Sequence, residues 1–91
     1  MLKARVIKSK DCPRCAVYLA RLTQLKFPHI IYDVADGKKE DLDKWRITDM
    51  PIVQIVDDQT GEVYYQFKYV QQGWSPRSIK HQIKEKEKEI S

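Results

Sequence analysis

The sequence has only two cysteines and three glycines, and it has no long apolar run. No stretch approaches the roughly 20 apolar residues of a membrane-spanning helix, so no membrane segment is predicted. The basic N-terminus lacks the apolar run of a signal peptide, and we therefore expect a cytoplasmic protein. The length of 91 residues fits one small domain over 1–91. Ordinary apolar and charged fractions, 42% and 33%, argue against overall disorder.

The net charge of +4 is unevenly distributed along the chain. The first 27 residues carry seven basic side chains and one acidic side chain, whereas acidic residues outnumber basic ones in the remainder. A solvated basic face explains this block, because nucleic-acid binding would need a recognisable module or interleaved aromatic residues. No nucleic-acid partner is therefore predicted. The Lys/Glu-rich end, about 85–91, is expected to be solvated and frayed.

Hydrophobic periodicity predicts an α/β fold with the element order β-α-β-α-β-β-α. Strands are predicted at 4–9, 29–34, 51–56 and 62–70, and helices within 12–26, at 38–47 and from 76 onward. On the fourth strand, alternation predicts a shared face for Val63, Tyr65, Phe67 and Tyr69. The strand–helix–strand start implies a parallel pair, and the closing hairpin adds antiparallel strands. We expect a four-stranded mixed sheet flanked by helices.

The two cysteines, Cys12 and Cys15, lie where the first strand gives way to the first helix. Ligand sites in such sheets gather beyond the C-terminal ends of the parallel strands. A structural zinc site needs four ligands, and His29 and His81 lack the H-x3–5-H spacing that would complete one. A disulfide across so short a loop removes little chain entropy, so a structural staple explains the pair poorly. No metal and no permanently bound cofactor is predicted.

A redox pair is the favoured interpretation, and the alternative is a buried Cys15 with an incidental Cys12. The thiolate is the nucleophile, and the pKa of a cysteine falls at a helix N-terminus, near cations and in a C-x-x-C segment. Cys12 meets these conditions if the helix begins at Pro13. Cys15 shares a predicted buried face with Leu19 and Leu22, so it would stay shielded. Cys12 would attack a substrate disulfide, and Cys15 would resolve the mixed disulfide.

The C-P-R-C segment after a strand and the distant Met-Pro before another strand together resemble the thioredoxin superfamily, and within it the glutaredoxins. The resemblance spans Ala4 to about Lys84. It implies a cis peptide bond before Pro51, with the backbone of Met50 offering hydrogen bonds to an extended substrate. The implied activity is that of a dithiol oxidoreductase, linked to glutathione or to thioredoxin reductase. Its substrates would be protein disulfides or glutathione-mixed disulfides.

Single positions distinguish the branches of this superfamily. Thioredoxins carry a buried carboxylate where this chain has Val6, which favours the glutaredoxins. Arg14 departs from the Tyr or Phe of glutaredoxins, and Gln72–Ser75 departs from their G-G-x-D segment. The resemblance implies a monomer that contacts disulfide-containing proteins or glutathione. The implied substrate contacts are Lys8, Lys10, Arg14, Met50, Pro51, Gly73, Trp74 and Ser75. The rival interpretation is a thioredoxin-fold binding or adaptor module without turnover.

Overall fold

Four strands and three helices make up the computed structural model, which describes residues 1–47 and 50–90. The strands are β1 (Leu2–Lys8), β2 (His29–Asp33), β3 (Ile52–Asp57) and β4 (Val63–Phe67). The helices are α1 (Pro13–Gln24), α2 (Lys39–Trp45) and α3 (Pro76–Ile90), and a 3-10 turn covers Val34–Asp36. The strands form one mixed sheet in the order β2-β1-β3-β4. The predicted order of elements and the mixed four-stranded sheet are confirmed.

The pairing of the strands brings the ends of several strands together at one edge of the sheet. β1 runs parallel to β2 and antiparallel to β3, and β3 runs antiparallel to β4. In this register Ile7 lies opposite Ile52, and Val53 lies opposite Phe67. The end of β1, the start of β3 and the end of β4 therefore meet. We call this edge the α1 edge, since the chain passes from it into α1.

The hydrophobic core lies between α1, α3 and one face of the sheet. α1 begins with Cys12 as its N-cap and with Pro13 in its first turn, where a missing N–H removes no helical hydrogen bond. Helical spacing then places Tyr18 and Leu22 on the face that packs against the sheet. The buried members of this core are Leu2, Ala4, Val6, Tyr18, Leu22, Val53, Ile55, Ile79 and Ile83.

The opposite face of the sheet carries a row of three polar side chains, Arg5, Gln54 and Gln66. Nε and Nη2 of Arg5 donate to Oε1 of Gln54 at 2.9 and 2.7 Å, and Nε2 of Gln54 donates to Oε1 of Gln66 at 2.8 Å. Nε2 of Gln66 donates to the carbonyl oxygen of Trp45 at 2.8 Å, which attaches the end of α2 to the sheet. Gln54 is fully buried, so these hydrogen bonds offset the cost of its burial. Burial also lowers the pKa of Arg5.

The face of β4 that packs toward the core matches the sequence-based expectation in part. Tyr65 and Phe67 share this face, as alternation predicted, because they pair with two core residues of β3 and their ring centres lie 6.3 Å apart. The pairing with β3 is irregular between Val63 and Tyr65, and Tyr64 also packs against the core. Tyr65 is 41% exposed, so the core covers it only in part. The strand ends before Tyr69, which was predicted to continue the alternation.

The last helix spans Pro76–Ile90 and so includes most of the charged end, about 85–91, for which fraying stays a prediction. Nζ of Lys86 lies 3.3 Å from a carboxylate oxygen of Glu89 and 5.5 Å from the ring centre of Tyr64. A second ion pair at i,i+3 spacing supports the same turn. Positions 48, 49 and 91 lie outside the described residues, and with them part of the segment before Pro51 and the last residue of the charged end. Within the described parts of the chain, no helix is both long and apolar enough to cross a membrane.

Replacing Leu22 with Ala tests the burial of α1. Leu22 is fully buried, so its truncation removes apolar contacts and leaves a cavity in the core. We expect the free energy of unfolding to fall by about 2–5 kcal/mol in urea denaturation followed by circular dichroism. Val17→Ala on the same helix is the control, because Val17 is 57% exposed. Its effect should stay within about 0.5 kcal/mol, and equal losses for the two variants would contradict this orientation of α1.

Candidate active site

Cys12 and Cys15 form a disulfide at the N-terminus of α1, and their Cα atoms lie 5.2 Å apart. The backbone N–H of Cys15 donates to Sγ of Cys12 at 3.1 Å. An amide of the first helical turn, which has no carbonyl partner within the helix, is thereby satisfied by sulfur. Cys15 is 1% exposed, whereas Cys12 is partly exposed. The bond therefore joins one sulfur that an approaching molecule can reach to one that the core shields.

Met50 and Pro51 approach the same edge of the sheet from β3. The peptide bond between them is cis, Pro51 is buried, and Met50 is partly exposed. Ile52 follows directly and pairs with Ile7 at the end of β1. The fold therefore brings the Met-Pro segment and the start of the cysteine helix, two sites far apart in sequence, to the α1 edge.

The three basic residues that the sequence assigned to substrate contacts have different surroundings. Nζ of Lys8 lies 3.9 Å from a carboxylate oxygen of Asp33, so part of its charge is balanced within the chain. Lys10 is exposed in the turn that precedes α1. The guanidinium of Arg14 lies 4.0 Å from the ring centre of Tyr69. Arg14 thus contacts the loop between β4 and α3, a contact that the sequence did not indicate.

This loop, residues 68–75, packs on α1 through a series of aromatic contacts. The ring centres of Tyr69 and Trp74 are 5.1 Å apart in an edge-on arrangement, and those of Trp74 and Tyr18 are 5.3 Å apart in a stacked one. The hydroxyl of Tyr18 donates to the carbonyl oxygen of Trp74 at 2.6 Å. Burial raises the pKa of Tyr18, so this hydroxyl remains a neutral donor. We call the series Arg14, Tyr69, Trp74 and Tyr18 the aromatic column.

Two other predicted contact residues, Gly73 and Ser75, shape the loop itself. Gly73 has a φ of +91°, and a Cβ at this position would lie 3.0 Å from a ring carbon of Phe67. Any other residue would therefore meet both backbone strain and crowding. Oγ of Ser75 accepts a hydrogen bond from the backbone N–H of Ser78 at 3.3 Å, which caps α3 before Pro76. Both residues fix the position of Trp74 beside α1.

A groove of about 380 Å³ lies on the surface where α1 meets this loop, and it begins at Pro13 and Arg14, the two residues between the cysteines. Its other lining residues include Val17, Tyr18, Arg21 and Trp74. A larger cavity of about 620 Å³ lies on the opposite face of the sheet, near α2, and none of the predicted site residues lines it. Within residues 1–47 and 50–90, no three His, Cys, Asp or Glu side chains are grouped closely enough to hold a metal ion.

The sequence anticipated some members of this site and missed others. Cys15 falls on the buried face, as its helical spacing with Leu22 indicated. Tyr69 was predicted only as part of the fourth strand, and no role in the site was predicted for Tyr18. The sequence offered one signal, the spacing of Arg14 and Tyr18, because residues four apart are neighbours one turn along a helix. The loop residues that they contact are more than 50 positions away, beyond the reach of such patterns.

The fold resembles that of thioredoxins of known structure, whereas no protein-family model and no curated protein sequence matches the chain. The reduced Schistosoma mansoni thioredoxin pre-protein is 20% identical with a TM-score of 0.67, over 92% of this chain and 77% of that one. Thioredoxin f2, in a complex with ferredoxin:thioredoxin reductase, is 13% identical with a TM-score of 0.68, over 94% and 77%. Thioredoxin 1 of Thermosipho africanus is 15% identical with a TM-score of 0.60, over 93% and 98%. At this identity the likeness establishes a thioredoxin-like fold, and it does not distinguish a glutaredoxin branch.

Replacing Tyr18 with Phe tests whether the aromatic column holds the loop on α1. The change keeps the ring but removes the donor to the carbonyl of Trp74, which should lower the free energy of unfolding by about 0.5–1.5 kcal/mol. We expect faster amide hydrogen exchange in residues 68–75 than in wild type. Tyr65→Phe is the matched control, because Tyr65 is 41% exposed and lies outside the column. Unchanged exchange in the loop of the Tyr18 variant would show that this hydrogen bond does not hold it.

Proposed function

We propose that this chain of thioredoxin-like fold is a thiol–disulfide oxidoreductase that works through Cys12 and Cys15. The observation that carries the proposal is the unequal exposure of the two joined sulfurs at the N-terminus of α1. The cis peptide bond between Met50 and Pro51 at the same edge of the sheet adds to it. Disulfide exchange needs a reachable attacking sulfur, a shielded second sulfur and a neighbouring extended backbone, and Cys12, which is partly exposed, supplies the first of these.

The reaction begins from the reduced pair. The thiolate of Cys12 attacks one sulfur of a substrate disulfide, so that a Cys12–substrate disulfide forms and the other substrate sulfur leaves as a thiolate and takes up a proton. The thiol of Cys15 then loses its proton, and its sulfur attacks Sγ of Cys12. The Cys12–Cys15 disulfide forms, and the second substrate thiol is released. Two electrons have passed from the pair to the substrate, and two external thiols or one dithiol return them.

The contacts of the two cysteines support these separate roles. The amide of Cys15 donates to Sγ of Cys12, and such a donor at a helix N-terminus stabilises a thiolate more than a thiol. Cys15, at 1% exposure, is closed to a bulky substrate but lies within bonding reach of Cys12. We therefore assign attack to Cys12 and resolution to Cys15.

Substrate binding is assigned to the α1 edge. The backbone of Met50 beside Pro51 would pair with an extended substrate segment, as an added strand does. The loop at Gly73–Ser75 would contact the other side of that segment. Lys10 is exposed and its charge would suit the carboxylates of a peptide or of glutathione. Lys8 and Arg14 would add to the positive charge near the substrate, and each also contacts another side chain of the protein.

Among thiol–disulfide oxidoreductases, we propose a dithiol glutaredoxin-like enzyme that reduces protein or glutathione-mixed disulfides. Val6 in place of a buried carboxylate supports it, because a thioredoxin-type proton acceptor is lacking at that position. For the electron source we propose glutathione or a thioredoxin reductase. A structural neighbour, thioredoxin f2, is seen in a complex with ferredoxin:thioredoxin reductase, which supports considering a protein reductant. No bound cofactor is needed, because the sulfur atoms themselves carry the electrons.

Replacing Cys15 with Ser should trap the substrate on the enzyme. Without a resolving thiol, the mixed disulfide at Cys12 persists, and mass spectrometry under non-reducing conditions should detect the covalent adduct with a disulfide-linked peptide. Cys12→Ser is the matched control and should form no adduct. Trapping by Cys12→Ser alone would reverse the assigned roles. If neither variant forms an adduct and the reduced wild-type protein leaves the peptide disulfide intact, the proposed function is contradicted and the adaptor interpretation is favoured.

A further inference from the structure

Three arginines line a continuous groove that leads away from the cysteine pair. Arg14 and Arg21 lie on α1, and Arg77 lies in the first turn of α3. The groove beside the loop contains Arg14 and Arg21, and an adjoining groove of about 500 Å³ contains Arg21 and Arg77. The two share Val17, Arg21, Ser75 and Pro76, so together they form one surface that we call the arginine groove.

The charge of the arginine groove is not balanced within the described chain. Among residues 1–47 and 50–90, no carboxylate lines either part of the groove. The ion pairs of the same residues involve the N-terminus and four lysines, and none involves Arg14, Arg21 or Arg77. All three arginines are exposed. The surface therefore attracts negative charge, and no acidic group of the described chain lines it to compete.

The floor of the groove is apolar. Val17, at 57% exposure, is among the most exposed large apolar side chains of the protein, and it lines both parts of the groove together with Pro76. An apolar floor with a cationic rim fits a polypeptide that has both acidic and apolar side chains. Single-stranded nucleic acid instead requires open aromatic faces on which bases stack. Here the ring of Trp74 is stacked on Tyr18, which is 2% exposed.

The position of the groove connects it to the cysteine pair. It begins at Pro13 and Arg14, between the two cysteines, and it follows α1 to Arg21. Seven residues of helix rise by about 10 Å. That length matches about three residues of extended chain. A client segment that begins at the attacked disulfide would therefore meet the guanidinium groups within its next few residues.

We propose that the arginine groove binds an acidic segment that flanks the disulfide of a client protein, and that it makes the enzyme selective for acidic clients. The proposal rests on the proposed oxidoreductase function and names its substrate class. Guanidinium groups bind carboxylates through two parallel hydrogen bonds. Glutamate and aspartate side chains would therefore gain specific contacts in addition to the general attraction between opposite charges. An apolar client side chain between the acidic ones covers Val17.

The test compares two disulfide-linked peptides of one length, one with three Glu residues beside the disulfide and one with three Gln residues in their place. The pre-reduced protein is mixed with each peptide, and a single turnover is followed so that no external reductant enters. We expect the acidic peptide to be reduced about tenfold faster at low salt, with the ratio approaching one as salt screens the charges. Equal rates for the two peptides at low salt would overturn the proposal.

The double variant Arg21→Gln/Arg77→Gln should reduce the rate ratio to about one. Lys39→Gln/Lys44→Gln is the matched control, because it removes the same charge from α2 and should retain the preference. A preference that survives in the arginine variant would contradict a role for the groove.

If neither peptide is reduced, the proposed function fails instead. Binding of a labelled acidic peptide without a disulfide, by fluorescence anisotropy, then tests the groove alone, and tighter Arg21-dependent binding of oligo-dT would overturn the acidic-peptide assignment.

Discussion

The start of α1 at Cys12 and Pro13 is the constraint on which both the core and the candidate site depend. Pro13 can occupy the first helical turn without the loss of a hydrogen bond, and Sγ of Cys12 satisfies the amide of Cys15. Once the helix begins there, its periodicity divides the residues into two stripes. The buried stripe is Cys15, Tyr18 and Leu22, and the exposed stripe is Arg14, Val17 and Arg21. One stripe shields Cys15 and the other lines the groove, so the same helical register positions the cysteine pair and the surface beside it.

The loop between β4 and α3 turns this helix into a site with two sides. Tyr18 belongs to the core, but its hydroxyl holds the carbonyl of Trp74, so the packing of the helix also positions the loop. Gly73 permits the backbone turn that this position requires. Because Met50 reaches the same edge from β3, three separate segments of the chain meet at the α1 edge, where Cys12 lies. The side chain of Tyr18 therefore contributes both to the stability of the core and to the position of the loop beside the candidate site.

Features that depend on local periodicity could be predicted from the sequence, and features that depend on pairing between distant segments could not. The element order and the shielding of Cys15 follow from spacings of two, three and four residues. The packing of Tyr64 against the core accompanies an irregular register between two strands, which alternation within one strand cannot show. The hydrogen bonds from Arg5 through Gln54 depend likewise on which residues the sheet places side by side. The contact of Arg14 with the loop depends on tertiary packing, and so the groove emerged only from the structure.

The central claim is that Cys12 and Cys15 cycle between dithiol and disulfide, and steady-state turnover tests it most directly. A disulfide-bonded protein is offered with catalytic amounts of the enzyme and either glutathione with its reductase or a thioredoxin reductase, and NADPH consumption is followed. The account predicts many turnovers per enzyme with at least one electron source and a rate at background level for Cys12→Ser. No turnover above background with either source, or equal rates for wild type and Cys12→Ser, would contradict it.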